Sequence, residues 1–193
     1  MIRLDRIYTR SGDAGKTSLG DGSRVEKISQ RIVAMGAVDE VNCHLGTAAS
    51  LTESVAQRSL IHQIQQLLFD LGADLCCPLP ERPESDTCPR IASHHSAWLE
   101  TQIDAATQQQ NPLTSFILPG GCPAAAALHL GRAVCRRAEL EYLRLAGSIE
   151  SAGANPEVGV FLNRLSDLLF VLARQVNDNG ADDILWSPGS TAE

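Results

Sequence analysis

Residues 116–141 read FILPGGCPAAAALHLGRAVCRRAELE, and this stretch limits the folds open to the chain. An apolar triplet, Phe116-Ile117-Leu118, runs into Pro119-Gly120-Gly121. Proline fixes φ and removes a donor while glycine tolerates φ > 0, so regular structure stops there. Pro123 suits the first position of a new helix, and Ala124, Ala125, Ala126 and Ala127 follow as strong helix formers. Ala127, Leu130, Val134 and Ala138 recur three or four apart, which predicts one buried face. Arg132 and Arg136 lie four apart on one side of this helix, with Arg137 and Glu139 next to them, and side chains at that spacing are stacked neighbours. Two like charges there repel, so a polyanion or a carboxylate from elsewhere in the fold would offset the repulsion. The competing reading is a solvated arginine face, because exposed charges contribute little to stability. The chain as a whole carries a formal charge of -7, so a basic cluster stands against its own background.

The same periodicity predicts four further helices. Residues 30–50 carry Ile32, Met35, Val38, Val41 or Asn42, and Leu45 at helical spacing, with Asp39-Glu40 interrupting a small, apolar region. Residues 53–75 carry a wide stripe of Leu60, Ile64, Leu67, Leu68, Leu71 and Leu75. A proline-rich loop over 76–89 leads to a third, least hydrophobic helix over 91–109. The helix that starts at Pro123 extends to about Ala146, and residues 157–176 form the last, with Val158, Phe161, Leu162, Leu165, Leu168, Leu169, Leu172 and Val176 on its buried side and Asn163, Arg164 and Asp167 on the other. No strand pattern of useful length appears. Five helices joined mostly by short loops predict an all-α, up-and-down five-helix bundle. The 193 residues form a single domain: an N-terminal loop over 1–30, a bundle over 31–176 and a tail over 177–193.

Composition excludes several functions. A chain this acidic, with only 4% aromatic residues, lacks the basic face and stacking platforms of a general nucleic-acid binder. No apolar run approaches 18 residues, so no membrane span is expected, and the N-terminus lacks a secretory h-region, which points to the cytoplasm. Cys43, Cys76, Cys77, Cys88, Cys122 and Cys135 form no C-x-x-C pair and fit no common zinc site; they read as reduced thiols, several of them small core residues. His44, His62, His94, His95 and His129 show no metal-ligand spacing, so no protein metal site is expected. Residues 11–27, SGDAGKTSLGDGSRVEK, are rich in glycine and hydroxyls, the groups that cradle phosphates. Gly15-Lys16-Thr17 imitates the end of a P-loop, but Arg10 stands where the first glycine belongs, so a Walker A motif is rejected. A phosphate loop of another kind and a surface terminus both remain open.

Three segments carry a resemblance over nearly the whole chain: TRSGDAGKTSLGDGSRVEK with RIVAMGAVDEVNCHLG, then FILPGGCPAAAALHLGRAVCRRAELE, then FLNRLSDLLFVLAR. Together they resemble the PduO-type ATP:cob(I)alamin adenosyltransferases. That resemblance implies a homotrimer of five-helix bundles with active sites between subunits. It implies transfer of the 5′-deoxyadenosyl group of ATP, with Mg²⁺, to the cobalt of cob(I)alamin, formed by way of four-coordinate cob(II)alamin, with release of triphosphate. Thr9, Arg10, Ser11, Gly12, Thr17, Ser18 and Lys27 match the nucleotide loop. Arg136, Arg137, Glu139 and Asn163 match the same ATP site from the neighbouring chain. Arg132 matches an arginine that pairs with the acidic residue at the place of Asp39 across the interface. Phe116 matches the aromatic that lies beneath the corrin. Arg10, Ala14, Met35 and Cys43 depart from the common family residues without removing a charge needed for triphosphate. A flavin-type reductase and an adenosylcobalamin-dependent enzyme are the implied partners. The alternative functions are a non-catalytic carrier that binds and delivers the cofactor, and a structural trimer with a degenerate site.

Overall fold

The computed structural model describes residues 8, 10–80, 87–149 and 153–189. Helix-forming segments separated by Pro, Gly and Ser punctuation give α1 (Gln30–Leu51), α2 (Val55–Cys76), α3 (Ser93–Thr107), α4 (Pro123–Ala146) and α5 (Glu157–Val176). Pro123 opens α4 as expected. The Ser54 hydroxyl caps α2 by accepting the Gln57 N–H. Among the described residues no helix is long and apolar enough to cross a membrane.

Helix α1 packs on α2 and α4, α4 packs on α5, and α5 packs on α3. Contacts between the helices fix their directions. The Gln30 amide at the start of α1 donates to Glu141 near the end of α4, and the Glu139 carboxylate accepts from Asn163 across the α4–α5 turn. Arg164 reaches Glu100, while the Gln110 amide just past α3 donates to the Val171 carbonyl, so α3 and α5 run the same way. The helices therefore alternate up and down, and α5 is buried on most sides, with Val158, Phe161, Leu162, Leu165, Leu168, Leu169 and Leu172 at 2% exposure or less.

Two stripes are rotated from the expected ones. On α4 the expected Val134 and Ala138 are buried, but together with Leu128, Gly131, Cys135, Tyr142 and Leu145, whereas Leu130 is half exposed. The helix is flanked by both α1 and α5, so small residues line its close contacts and the larger Leu130 is displaced outward. On α1 the buried set is Ala34, Ala37, Val38, Val41, Leu45, Ala48 and Ala49, with Ile32 and Met35 only partly covered. There, too, the closest helix approach selects alanine over larger residues.

Three expectations are corrected outright. Residues 1–30 do contain strands: β1 (Lys16–Ser18) pairs antiparallel with β2 (Arg24–Glu26), and Thr17 faces Val25. Each is too short to show a period in sequence. Residues after 177 do not form a free tail. The Leu118 N–H donates to the Ile184 carbonyl and the Trp186 N–H to the Phe116 carbonyl, so this segment returns along the 116–118 loop. Nor are all six cysteines thiols: Cys77 and Cys88 form a disulfide, with Cα atoms 6.5 Å apart and a sequence separation of 11. The loop after α2 folds back there, a closure that sequence spacing does not announce.

Two buried polar nodes hold the ends of the bundle. At the hairpin end, the Asp74 carboxylate, 2% exposed, accepts from Arg90, from the Ile91 N–H and from Asn155, whose carbonyl accepts the Tyr142 hydroxyl. At the opposite end, Arg174 pairs with Asp183 at 2.8 Å and also donates to Gln110 and the Asn111 carbonyl. Asn177 accepts the Cys122 N–H and donates to Asp183, which ties the start of α4 to the end of α5.

Candidate active site

The N-terminal loop is built around its hairpin. Arg24 donates to the carbonyls of Ser11 and Lys16 and reaches the Ser18 hydroxyl, while the Lys27 N–H donates to the Gly15 carbonyl. Lys27 folds over Gly12 so closely that a Cβ on Gly12 would lie 2.9 Å from its Nζ, and a larger residue there would displace the lysine tip. Arg10, at φ 61°, places its guanidinium 5.6 Å from the centre of the Tyr8 ring. The hairpin thus gathers Ser11, Gly12, Ser18 and Lys27 on an exposed, cationic turn, with Thr17 half-buried in β1. Thr9 lies outside the described residues.

A second set of predicted residues lies in the groove between α4 and α5. Arg132 and Arg136 line a concave pocket with Ser166, Asp167, Phe170 and Val171. Glu139 sits one helical turn beyond Arg136 and holds Asn163 at 3.0 Å; Asn163 in turn accepts from Arg164 at 2.6 Å. Arg136 is exposed. Arg137 departs from this set. It points to the α1 side and pairs with Glu40, and that contact lowers the Glu40 carboxyl below its ordinary range.

A third cluster surrounds Phe116. Its ring is 77% exposed, which excludes an ordinary core phenylalanine. With Leu113, Ser115, Ile117, Arg132, Phe170 and Trp186 it lines a largely apolar cavity of about 580 Å³. The Trp186 ring lies 6.1 Å from the Phe116 ring, and the Ser115 hydroxyl donates to the Trp186 carbonyl. Arg132 therefore belongs to both concavities and joins the cationic groove to the apolar one. Its Nε is buried and has no hydrogen-bond partner among the described residues. Beside it, His129 is buried with its ring 6.2 Å from Phe170; burial, then the Arg132 charge, push its pKa below the ordinary histidine value. Asp39 is exposed on α1, beside a shallow groove lined by Met35, Gly36, Asn42, Phe69 and Cys76.

Within one chain, the hairpin docks on the end of α2, through the Gly20 N–H to the Cys76 carbonyl at 2.8 Å, while Arg136, Glu139 and Asn163 lie between α4 and α5. The predicted nucleotide residues therefore form two half-sites on different elements. Sequence reasoning missed Phe170, Trp186 and the Arg174–Asp183 pair. The run Ile184-Leu185-Trp186, apolar in a polar tail, was the available signal for the second of these. Among the described residues no group of three or more His, Cys, Asp or Glu side chains could hold a metal ion.

Comparison with known proteins places the chain in a family. The cobalamin adenosyltransferase family model matches residues 7–176. A corrinoid adenosyltransferase of Mycobacterium tuberculosis is 44% identical over 97% of this chain and 96% of its own length. A cobalamin adenosyltransferase of Cupriavidus metallidurans is 47% identical over 95% of each chain. Among solved structures, a phenylalanine-to-histidine variant of the PduO-type ATP:corrinoid adenosyltransferase from Lactobacillus reuteri, complexed with cobalamin and ATP, superposes with a TM-score of 0.85 at 36% identity, covering 95% of this chain and 97% of that one. An apolar cavity under an exposed phenylalanine, a cationic groove beside it and a hydroxyl- and lysine-bearing hairpin are thus the site features of a chain that belongs to the cobalamin adenosyltransferase family.

Proposed function

We propose that this chain transfers the 5′-deoxyadenosyl group of ATP to the cobalt of cob(I)alamin, giving adenosylcobalamin and triphosphate, at sites completed by a neighbouring copy in a homotrimer. One observation carries this reading. Arg132 joins the two concavities and keeps a buried Nε unpaired, while Asp39 stands exposed on α1 with no ion pair among the described residues. A buried unpaired guanidinium nitrogen is unfavourable, and Asp39 of a second copy supplies the missing acceptor. The same packing brings the hairpin of one copy to the α4–α5 groove of the next and unites the two nucleotide half-sites.

The division of labour follows from the residues. Cobalt is the nucleophile, so the protein needs no serine, cysteine or histidine nucleophile. Thr9, Arg10, Ser11, Gly12, Thr17, Ser18 and Lys27 hold the triphosphate of MgATP, whose magnesium is carried by phosphate oxygens. Arg136, with Glu139 and Asn163, approaches from the other copy, and Arg137 joins them only by exchanging its Glu40 partner for phosphate. Arg136 and Lys27 stabilise charge that develops on the leaving triphosphate, an electrostatic role for preorganised groups. Fixing C5′ over the cobalt is a proximity role. Phe116, exposed at the mouth of an apolar cavity, occupies the lower face of the corrin and excludes an axial base there, which favours four-coordinate cob(II)alamin and its reduction by an external, flavin-type reductase.

An absorbance time course tests the activity: reduced cobalamin with MgATP is converted to adenosylcobalamin only when the protein is present. Tight binding of both ligands without conversion would instead make the chain a carrier. The interface is tested by a double-mutant cycle on kcat/KM with Asp39→Asn and Arg132→Ala. Strong non-additivity is expected, because each change leaves the other partner unpaired; simple additivity would mean that the two never meet.

A further inference from the structure

The hairpin rests on a sulfur. A methyl group added at Gly20, in the β1–β2 turn, would overlap Cys77 Sγ, so the sulfur packs directly beneath the Gly20 backbone. The adjacent Cys76 carbonyl accepts the Gly20 N–H. Cys77 is the C-terminal cap of α2 and is half-buried, as is Cys88, its disulfide partner. The backbone around Cys77 is held independently of the disulfide. The Leu79 N–H donates to the Gly153 carbonyl, and Arg90 donates to the carbonyls of Cys77 and Pro78 and to Asp74. Breaking the disulfide therefore releases the Cys77 side chain to rotate, while the main chain that presents it stays in place.

We propose that Cys77 and Cys88 are a redox-responsive dithiol site, and that their oxidation seats the hairpin for ATP. The oxidant is a low-molecular-weight disulfide. The thiolate of one cysteine attacks it and displaces one thiol, and the second cysteine resolves the mixed disulfide and displaces the other. Both cysteines lose a proton, the protein loses two electrons, and two small thiols are released. In the oxidised state Cys77 Sγ is fixed under Gly20. In the reduced state χ1 of Cys77 is free, the support under the turn is lost, and ordering of Gly12, Ser18 and Lys27 is deferred to the moment of binding. The proposal rests on reading the hairpin as the nucleotide loop.

Binding rather than turnover is the measurement, because the reductants that generate cob(I)alamin would also reduce the pair. MgATP is titrated calorimetrically into the full-length protein after treatment with oxidised glutathione, and again after phosphine reduction and removal of the phosphine. Thiol titration in denaturant should give four free thiols in the first state, those of Cys43, Cys76, Cys122 and Cys135, and all six in the second. The dissociation constant for MgATP should rise by about threefold or more on reduction, the scale of ordering one or two side chains on binding. Cys88→Ser should bind like the reduced protein under both conditions. Six thiols after oxidation, equal affinities in the two states, or a redox response that persists in Cys88→Ser would each overturn the proposal. Lys27→Ala separates this proposal from its premise. If that variant binds MgATP more weakly while redox state has no effect, the redox proposal alone fails; if it binds as tightly as the wild type, the hairpin is not the nucleotide loop and both fail.

Discussion

The two ends of the bundle carry loops of opposite construction. At one end the β1–β2 hairpin is exposed and polar. A backbone hydrogen bond from Gly20 and a sulfur contact seat it on α2. At the other end the Phe116 loop is clamped. The returning segment 184–186 pairs with it, and Arg174, Asp183, Asn177 and Cys122 form a buried network behind it. A flexible polyanion can be gathered by a loop that orders around it. An aromatic ring that must exclude an axial ligand has to be held in position beforehand, because a displaced wedge fails even when it binds. Under the proposed function, the clamped Phe116 loop would face the corrin and the less anchored hairpin the triphosphate.

The comparison breaks most visibly at the clamped end. Arg174→Ala leaves Asp183 buried without its cation, and removing one member of a buried pair costs about 3–5 kcal/mol. Thermal unfolding should shift down by many degrees, with the 184–186 segment released; a Tm within two or three degrees of the wild type, at this about 190-residue size, would show that the clamp is dispensable.

Arg136→Ala should spare the fold, since the side chain is exposed, and should lower turnover by about a hundred- to thousand-fold, the effect of losing a donor to a developing anion. Circular dichroism checks the first half and steady-state kinetics the second. Turnover within threefold of the wild type would remove Arg136 from the site.

Phe116→Ala sharpens the contrast by separating position from stability. At 77% exposure its truncation should change stability by no more than about 0.5 kcal/mol, the range of surface substitutions. MgATP binding should persist, since Phe116 is not among the residues read as holding the nucleotide. The variant should be slow from cob(II)alamin with a mild reductant and should recover in part when cob(I)alamin is supplied already reduced. A variant that keeps the four-coordinate signal of bound cob(II)alamin would place the wedge elsewhere.

The smallest effect concerns pH. Burial, and next the Arg132 charge, depress the His129 pKa in the folded protein, with Asp183 opposing them. In the unfolded chain it titrates near its ordinary value of about 6.5. Below that value the unfolded state binds more protons, so stability is fully present above about pH 6.5 and declines as pH falls toward and through the lower folded value. His129→Gln should flatten that part of the stability–pH curve measured by urea unfolding. An unchanged slope between pH 6.5 and 5 would assign the acid sensitivity to other groups.

Much of this protein was legible in the order of its residues. Helices α1, α2, α4 and α5 begin and end within about two residues of the predicted spans 30–50, 53–75, 123–146 and 157–176. Local rules decide these boundaries, because capping, proline geometry and a 3.6-residue period act within one or two turns. Helical spacing put Arg132, Arg136 and Glu139 together on α4, while Asn163 joined them only through the family resemblance.

Tertiary structure decided the rest. No local pattern could show that Leu130 would be left outside while Gly131 faces the core, because that choice depends on how closely α1 and α5 approach α4. The side to which Arg137 turns was set by Glu40 on another helix. Trp186 reaches the Phe116 cavity only because distant segments return to the same place. The sequence alone determined which segments are helical and which charges they carry, since those properties are local. Which of those charges meet, and which loop is rigid, depended on contacts between residues tens of positions apart, whose energies exist only once the chain has closed.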